Sequence, residues 1–480
     1  MRILLYNFVQ PGEPGAGGAG TYNTNLAKAL ESQNHEVITL SAGVAYSAFR
    51  RKVFLRPSRA SSSRVEVVNS PVPAPARFNF AAPLVYTRSR ALDAVPGQLR
   101  DRYGDIEAFH FNSNEGLTRS FFVELRRVFP NAKILYAAHN YSLVCPIVTL
   151  WYDDRQTCAD FLGGRSCTTC QKAVHSADAT RLGRKLGVRS DALPVRGVRP
   201  DAVSGPVELL RRLAKAAMLF LRAGRARAPS VAQAAGAAHY AEYRGANIRL
   251  CEHIFDQVLA VSRRTRDILI RDGIPEAKLS VSYIGTANRR APVAPSGAAS
   301  ARPYLHLAYL GYMSREKGLR FLLDSLEHMP APLASRLSLT VAAENTSADN
   351  HRSITALRRR LRAVTYVDGY APGELDGLLK EVDLGIVPVL WEDNLPQIAI
   401  ELVARGIPIL VSDRGGAQEL FSNDRFVFKS GSHSELNRVL TDILRGDLTL
   451  ESFWNGDLRL YSMLEHLRDL EKYYGRKLCE

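Results

Sequence analysis

The sequence predicts an α/β protein with two Rossmann-like, doubly wound domains that face each other across a cleft. Two observations support this fold class. Short apolar runs alternate with helical patterns in both halves of the chain, and a stretch rich in Ala, Pro, Gly and Ser over 287–303 separates the halves. The length of 480 residues agrees, because a single core stops growing at about 250–300 residues. Ligands of such sheets bind outside the carboxyl ends of the strands, so we expect the site in the cleft.

The first domain is predicted over 1–286. A Gly-rich turn over 15–20 follows the first apolar run and leads into a helix, and a later helix, RRTRDILIRDG, is expected to stop at Gly273. The apolar runs are typical of strands buried on both faces of a parallel sheet. Strands are predicted at 2–9, 35–40, 132–139 and 256–262.

The second domain is predicted over 304–448, after a linker at 287–303 that contains no pattern able to build an element. Residues 449–480 place apolar side chains at helical spacing and predict a terminal helix that packs back on the domains. Strands of the second domain are predicted at 304–311, 337–343, 382–389, 407–412 and 426–430.

The charge of the chain favours an anionic partner. The formal net charge is +15 and the pI is near 9.6. A basic insertion at 172–235 contributes strongly, since residues 172–229 hold 13 Lys or Arg against 4 Asp or Glu. Within it, 206–229 combines leucines and arginines at spacings that fit an amphipathic helix on an anionic membrane, or a core helix flanked by arginines. Nucleic acid is not expected as a partner, because no nucleic-acid motif is present.

The N-terminal segment indicates a cytoplasmic protein. MRILLYNFVQPG has one basic residue, a short apolar run and no small-residue cleavage site, and it is typical of a first buried strand. No stretch reaches the ~18–20 apolar residues that span a bilayer. Six cysteines in a chain of this length favour a reducing compartment. We therefore expect a cytoplasmic protein that contacts the inner face of the cell membrane.

The group of residues that most strongly indicates a binding or catalytic site lies in 388–420. Asp393 and Glu401 are eight apart, with a helix predicted to begin between them, and a strand then leads to Gly415 and Gly416, followed by Glu419. Carboxylates accept hydrogen bonds from neighbouring hydroxyls, helix N-termini hold phosphate, and glycines let a ligand approach the backbone. This order of features predicts a site for a polyhydroxylated, phosphorylated ligand.

The segment resembles the donor-site signature of family 4 retaining glycosyltransferases, which have the GT-B fold. In that family two acids separated by seven residues contact the donor hexose and the ribose of the nucleotide. The resemblance gives Asp393 the hexose contact and Glu401 the ribose contact. The family usually has Glu at the first position, and here Asp393 follows Glu392. The resemblance also places Gly415, Gly416 and Glu419 at the donor.

A second signature, LGYMSREKGLRFLLDSL at 310–326, resembles the strand, turn and helix in which this family grips the donor diphosphate with an Arg and a Lys. Lys317 matches the Lys. Tyr312 occupies the position at which the family has the Arg. Arg315, which lies nearby, is the candidate to replace that Arg. A cation at a helix start stabilises the charge that develops on the leaving phosphate.

Two features of the N-terminal half are similar to the same family. Gly17 and Gly18 match its paired glycines near the diphosphate and acceptor, although glycine packing would also explain them. His139 matches a His that reaches the reacting sugar, and Asn140 departs from the Asp that often follows. We therefore predict His139, Asp393 and Lys317 as catalytic residues, without naming a general base.

Four cysteines at 145–170 form a cluster in the sequence. The last two have Cys-x-x-Cys spacing, and four thiolates could hold a structural Zn²⁺, although the gaps do not match a standard finger and reduced, unliganded thiols explain them equally well. No catalytic metal or other cofactor is expected, because neither half has an Asp-x-Asp motif at its expected site. The candidate zinc ligands are Cys145, Cys158, Cys167 and Cys170.

The resemblance implies transfer of a sugar from a nucleotide diphosphate sugar to a hydroxyl of a carbohydrate or lipid-linked oligosaccharide, in surface polysaccharide or exopolysaccharide assembly. Two alternatives share the fold: a sugar-nucleotide epimerase, and a non-catalytic partner subunit. Tyr312 and Asn140, which depart from the family pattern, favour the non-catalytic subunit. The sequence identifies neither the donor nucleotide and sugar nor the acceptor.

Overall fold

The computed structural model describes residues 1–11, 13, 17–58, 61–170, 177–185, 236–287 and 303–479. The candidate membrane helix 206–229 lies outside these residues, as do most of the 172–235 insertion and of the 287–303 linker. Among the described residues, no helix is long and apolar enough to cross a membrane.

The N-terminal domain is built on an eight-stranded sheet with the strand order β10-β9-β6-β5-β1-β2-β4-β3. All neighbouring strands are parallel except the β3–β4 pair at one edge. A separate antiparallel hairpin, β7–β8, follows β6. These strands are β1 Arg2–Tyr6, β2 Glu36–Ala42, β3 Phe54–Pro57, β4 Arg64–Val68, β5 Ala108–Phe111, β6 Lys133–Ala138, β7 Trp151–Tyr152, β8 Gln156–Thr157, β9 Gln257–Ala260 and β10 Leu279–Val281.

Helices accompany this sheet, and the first begins earlier than predicted. The sequence pattern starts the helix at residue 21, whereas the helix begins at Gly17, so the second half of the Gly-rich stretch forms its first turn. The described helices are α1 Gly17–Ser32, α2 Arg90–Asp93, α3 Val95–Tyr103, α4 Arg119–Val128, α5 Cys167–Cys170, α6 Ala177–Lys185, α7 Ala237–His253 and α8 Arg263–Arg271.

The C-terminal domain has a six-stranded parallel sheet with the order β14-β13-β12-β15-β16-β17, which is the Rossmann order. A small parallel sheet pairs β11 Gly285–Thr286, which precedes the linker, with β18 Tyr461–Ser462, which precedes the last helix. The sheet strands are β12 Leu305–Tyr312, β13 Leu337–Glu344, β14 Ala363–Val367, β15 Leu384–Val387, β16 Ile409–Ser412 and β17 Val427–Phe428. The helices are α9 Leu319–Glu327, α10 Ala331–Ala334, α11 Ala348–Leu357, α12 Leu375–Leu379, α13 Gln397–Val403 and α14 His433–Arg445.

The last helix, α15 Met463–Tyr474, returns to the N-terminal domain and packs against α1 and β6. Two hydrogen bonds between buried side chains hold it there. His466 Nε2 lies 2.8 Å from the Tyr22 hydroxyl, and His110 Nδ1 lies 2.8 Å from the Tyr474 hydroxyl. The two parallel sheets confirm the predicted fold class, and their carboxyl ends position the residues described next.

Candidate active site

Lys317 and Asp393 form a charge pair at the carboxyl edge of the C-terminal sheet. Lys317 ends a 3-10 turn after β12, and its Nζ donates to Asp393 Oδ2 at 2.7 Å. The ammonium also lies 5.0 Å from the centre of the Trp391 ring. Burial lowers the pKa of Lys317, but the charge and hydrogen bond of Asp393 outweigh burial and raise it. Lys317 is therefore a permanent cation beside a buried carboxylate.

Gly415 and Gly416 shape the backbone beside Asp393. Gly415 has a φ of +73°, and a Cβ there would lie 2.0 Å from the carbonyl oxygen of Asp393. The amide of Gly416 donates to that same oxygen at 2.9 Å. The space that a side chain would occupy at these glycines is filled by the backbone of Asp393 and Asn394. Close packing of this loop therefore requires glycine here, and the contact of both glycines with a donor stays a prediction.

Glu401 lies one turn inside α13 and is buried. Its Oε1 accepts from Gln397 Nε2 at 3.1 Å, and its Oε2 from Arg405 Nη1 at 2.5 Å. Arg405 also donates to Asp376 at 2.8 Å. The carboxylate is thus neutralised and held in one orientation, with lone pairs left for hydroxyl donors. The sequence analysis did not identify Arg405, although its i, i+4 spacing from Glu401 was a usable signal.

Glu392, adjacent to Asp393, joins the two domains. Arg264 of α8 binds its carboxylate through Nε at 2.8 Å and Nη2 at 2.6 Å. Arg414 and the amide of Gly415 donate to the same group, at 2.9 and 3.1 Å. Burial raises the pKa of Glu392, but the two guanidinium groups outweigh burial and lower it. This residue is therefore an ionised interdomain anchor.

Glu419 makes a second contact between the two domains, and its predicted contact with the donor stays a prediction. Its two oxygens accept from the backbone amides of Arg263 and Arg264 at the start of α8, at 2.9 and 2.8 Å. The Tyr283 hydroxyl also donates to it, at 2.7 Å. A carboxylate at a helix N-terminus is stabilised by the unpaired amides of the first turn. Both carboxylate oxygens of Glu419 therefore accept hydrogen bonds from other residues of the protein.

Asn394 brings the same loop against the N-terminal sheet. Its carbonyl accepts from Ser262 Oγ at 2.6 Å, and its Nδ2 lies 3.4 Å from the carbonyl oxygen of Ala138, the last residue of β6. His139 follows Ala138 directly. The loop that carries Asp393 therefore meets the strand end that carries His139, as the cleft hypothesis requires.

His139 lies beside a pair of aromatic side chains. The rings of His139 and Tyr22 have centroids 4.5 Å apart, and Tyr22 is bound to His466 of α15. Burial, with a contribution from His466, lowers the pKa of His139 to about 3. The imidazole is therefore neutral near pH 7. Its Nε2 is buried and has no hydrogen-bond partner among the described residues.

Asn140 departs from the family pattern for a local reason. Its Nδ2 donates to Oε1 of the buried Glu115 at 3.2 Å, and its Oδ1 accepts from the amide of Ser142 at 3.0 Å. An Asp at this position would put two carboxylates in contact, and such groups cannot both ionise cheaply. Asn140 therefore avoids the repulsion that an Asp would have with Glu115, a residue that the sequence analysis did not identify.

The glycine turn of the N-terminal domain reaches the C-terminal domain. A Cβ on Gly18 would lie 3.1 Å from Cβ of Gln397, and one on Gly17 would lie 3.7 Å from the Tyr312 hydroxyl. Gly17 and Gly18 are thus at the interface beside the position where the family has an Arg. Arg315 is exposed, and its guanidinium makes no hydrogen bond or ion pair with another described residue. Its role as a substitute for the family's Arg stays a prediction.

Several buried polar atoms at this interface lack a hydrogen-bond partner among the described residues. Burying such an atom unpaired costs about 1–3 kcal/mol, and a cluster of them indicates a position that a ligand or water completes. The loop and helix around Asp393 contribute most of them, and the strand ends of the N-terminal sheet contribute the others. They are Trp391 Nε1, Asn394 Oδ1, Gln397 Oε1, His139 Nε2 and Asn7 Nδ2.

The four cysteines lie near one another but do not form a preformed metal site. Burial raises the pKa of Cys145 and Cys167 to about 12, and the other thiols of the cluster add to this effect. In the described part of the chain, no group of three or more His, Cys, Asp or Glu side chains is placed to hold a metal ion. None of the four cysteines forms a disulfide, and the zinc site at Cys145, Cys158, Cys167 and Cys170 stays a prediction from the sequence.

Comparison with known proteins identifies the C-terminal region. Residues 300–455, which include Lys317, Asp393 and Glu401, match the family model for glycosyl transferases group 1. No curated protein sequence matches the chain.

Solved structures of similar fold cover nearly the whole chain. Anabaena Alr3699/HepE in complex with UDP is 12% identical over 99% of this chain and 96% of its own, with a TM-score of 0.52. The lipopolysaccharide outer core galactosyltransferase WaaB in its apo form is 11% identical over 99% of both chains, with a TM-score of 0.54. The catalytic domain of starch synthase IV from Arabidopsis thaliana bound to ADP and acarbose is 11% identical over 100% and 99%, with a TM-score of 0.54. These likenesses confirm the GT-B fold.

Proposed function

We propose that this protein is a retaining glycosyltransferase that moves a sugar from a nucleotide diphosphate sugar to an acceptor hydroxyl. The observation that carries the proposal is the Lys317–Asp393 pair, 2.7 Å apart, in the region that matches the group 1 family. The cation and the carboxylate lie side by side, as a ligand with a diphosphate next to a sugar would need them. Retention of configuration follows from the resemblance of both signatures to family 4 enzymes.

In the proposed reaction the donor separates the two members of the pair. Lys317 turns to the diphosphate and neutralises the charge that develops as the bond to the sugar breaks. Asp393 accepts hydrogen bonds from the sugar hydroxyls, and Glu401, already oriented by Arg405, accepts from the ribose. The positive charge comes from the protein itself, so the reaction needs no metal ion.

His139 contributes as a neutral group in this proposal. A ring with a pKa of about 3 is not a general acid at neutral pH, whereas its unpartnered Nε2 can exchange a hydrogen bond with the sugar. Gly17 and Gly18 form the N-terminal wall of the diphosphate position, opposite Tyr312. The acceptor enters from the N-terminal domain.

The proposed setting is the cytoplasm, in the assembly of a surface polysaccharide or exopolysaccharide, with a carbohydrate or a lipid-linked oligosaccharide as acceptor. The basic composition of the chain, with a net charge of +15, supports an acceptor that carries phosphate or lies at an anionic membrane. Residues 206–229 are a proposed membrane contact from the sequence alone.

The test is release of nucleoside diphosphate from a panel of nucleotide sugars, with and without candidate acceptors. A glycosyltransferase releases the diphosphate faster when its acceptor is present, and the product keeps the anomeric configuration. An epimerase would convert the donor without an acceptor, and a non-catalytic subunit would show no turnover with any donor. Either result would remove the proposal.

A further inference from the structure

A basic loop of the N-terminal domain holds an aromatic ring in solvent. The loop Ser47–Lys52, called the 47–52 loop below, contains Phe49, whose side chain is 98% exposed. Three cations follow it in sequence, and the loop contains no acidic residue. Fully exposing one Phe forgoes the free energy that burial of its apolar surface would give. The combination of a fully exposed ring with three consecutive cations is what distinguishes this loop.

The loop is held in this shape by buried Asn69. Asn69 Oδ1 accepts from the amide of Ser47 at 2.9 Å, and its Nδ2 donates to the carbonyls of Arg50 and Lys52 at 2.8 and 3.0 Å. Ser47 Oγ accepts from the amide of Arg50 at 3.1 Å. Asn69 itself has a φ of +64°, a conformation that non-glycine residues adopt rarely. One buried side chain therefore fixes both ends of the loop that presents Phe49.

A second element, helix α6, packs against the chain that leads into this loop. Arg184 of α6 donates to the carbonyls of Gly43 and Ala74, at 2.5 and 2.7 Å. Leu182 on the same helix is 55% exposed. The helix thus supports the start of the loop and carries one exposed apolar side chain of its own.

We propose that the 47–52 loop docks the protein on an anionic lipid bilayer, with the Phe49 ring inserted at the interface and Arg50, Arg51 and Lys52 on the headgroups. The combination of few insertable apolar side chains with a cationic cluster fits the bilayer surface, where aromatic rings sit at the boundary and each cation adds attraction. A protein partner would need a much larger interface than one exposed ring and its flanking cations. The 47–52 loop is a membrane contact separate from the proposed 206–229 contact, and it does not depend on the sugar-transfer activity.

The experiment measures binding of the full chain to phosphatidylcholine vesicles with and without phosphatidylglycerol. We expect binding only to the anionic vesicles, weakening as salt is added. Phe49→Ser should lower the partition coefficient about tenfold, since the apolar insertion is lost. The triple change Arg50→Gln, Arg51→Gln and Lys52→Gln should lower it by roughly fivefold for each cation removed.

Matched controls carry the same chemistry elsewhere on the surface. Val123 on α4 is 50% exposed, so Val123→Ser removes a half-exposed apolar side chain far from the loop in sequence. The triple change Arg358→Gln, Arg359→Gln and Arg362→Gln removes three exposed cations from the C-terminal domain. Loss of binding in these controls equal to that in the loop variants would overturn the proposal, because the contact would then reflect overall charge.

Insertion itself is read out with Phe49→Trp. None of the three native Trp side chains is exposed, so quenching of the new Trp by brominated lipid reports this loop. Absence of quenching on bound vesicles, or unchanged binding of Phe49→Ser, would overturn the proposal, as would a loop-dependent affinity for nucleic acid without affinity for vesicles. Nucleotide-sugar binding by Phe49→Ser should equal that of the wild type. If no donor binds the wild type while vesicle binding depends on the loop, the proposed function fails and this inference stands.

Discussion

Lys317 Nζ and Asp393 Oδ2 lie 2.7 Å apart although 76 residues separate them in the chain. The pair forms because β12 and β15 are neighbours in the C-terminal sheet and both end at the same edge. Asp393 is 6% exposed, and the ammonium of Lys317 is its ion-pair partner. In the proposed function, a nucleotide sugar would replace this one ion pair with two new contacts.

Removing the cation should separate the electrostatic role of Lys317 from its structural role. We expect Lys317→Met to lower kcat/KM for donor cleavage by about 10²–10³, the range for losing one transition-state charge contact. It should also lower the thermal midpoint, because a buried carboxylate loses its partner. The double variant Lys317→Met with Asp393→Asn should recover the midpoint but not the activity. Recovery of both would show that the pair is only structural.

The carboxylate of Glu401 should govern nucleotide affinity. Glu401→Gln is expected to weaken binding of the nucleoside diphosphate about tenfold, since an amide accepts fewer hydrogen bonds from the ribose hydroxyls. Asp376→Asn is the matched control, because Asp376 binds the other side of Arg405. Calorimetric titration should give the control an affinity within about twofold of the wild type. Equal losses in both variants would contradict the ribose assignment.

Glu392 should behave differently from its neighbour in the sequence. Glu392→Gln breaks a bidentate contact with Arg264 across the domain interface, and we expect a lower thermal midpoint. Asp393→Asn should mainly lower turnover. Differential scanning fluorimetry and a donor-cleavage assay on both variants distinguish the roles, and a loss of turnover without a change in midpoint for Glu392→Gln would contradict this division.

Stability should fall in mild acid because of the buried histidines of the α15 contact. Burial lowers the pKa of His110 to about 3 and that of His466 to about 4, whereas an unfolded His titrates near 6.5. Between these values the unfolded chain binds protons that the folded chain does not, so stability is full above about pH 6.5 and decreases as the pH falls towards 4. The slope should approach about 1.4 kcal/mol per pH unit for each His.

Denaturant unfolding measured between pH 5 and pH 8 tests this slope. Burial lowers the pKa of His139 to about 3 as well, so three histidines contribute to the slope. His466→Phe removes one of the three and should reduce the slope, even if the variant is less stable at every pH. An unchanged slope in that variant would mean that His466 is already protonated in the folded protein.

Because Asn140 donates a hydrogen bond to Glu115, substitutions at these two positions should compensate for each other. Asn140→Asp restores the residue that the family often has, but it should lower the thermal midpoint, because Glu115 Oε1 lies 3.2 Å from the side chain at this position. Adding Glu115→Gln should restore much of the midpoint. A stable Asn140→Asp protein without the second change would show that Glu115 is already protonated.

Much of the fold could be predicted because the buried strands β1, β2, β6 and β9 are continuous apolar runs, and so are most strands of the C-terminal sheet. Strand β5 was not predicted, because His110 interrupts its apolar run. The residue that makes burial of His110 possible, Tyr474, lies 364 residues away and gives no local signal. The β3–β4 pair and β14 lie at sheet edges, where polar residues alternate with apolar ones. Edge strands carry a weaker signal for this reason.

The candidate site was predictable where it depends on local order along the chain. Asp393, Glu401 and Lys317 were found from their spacing within single segments. Arg264, Glu115 and Tyr22 could not be found in this way, because each meets its partner only when distant segments pack together. The contact of Glu419 with the first turn of α8 was also not predicted, because the two segments are far apart in the sequence.

The position of α15 has a practical consequence for producing the protein. The final helix supplies His466 and Tyr474 to the interior of the N-terminal domain, so the first 286 residues expressed alone would leave the hydroxyl of Tyr22 and the ring of His110 without partners. A split of the chain at the linker would not give two independent lobes. Bulky fusion partners or truncations at the carboxyl terminus would disturb the wall behind His139, far away in sequence, while leaving the six-stranded sheet of the C-terminal domain intact.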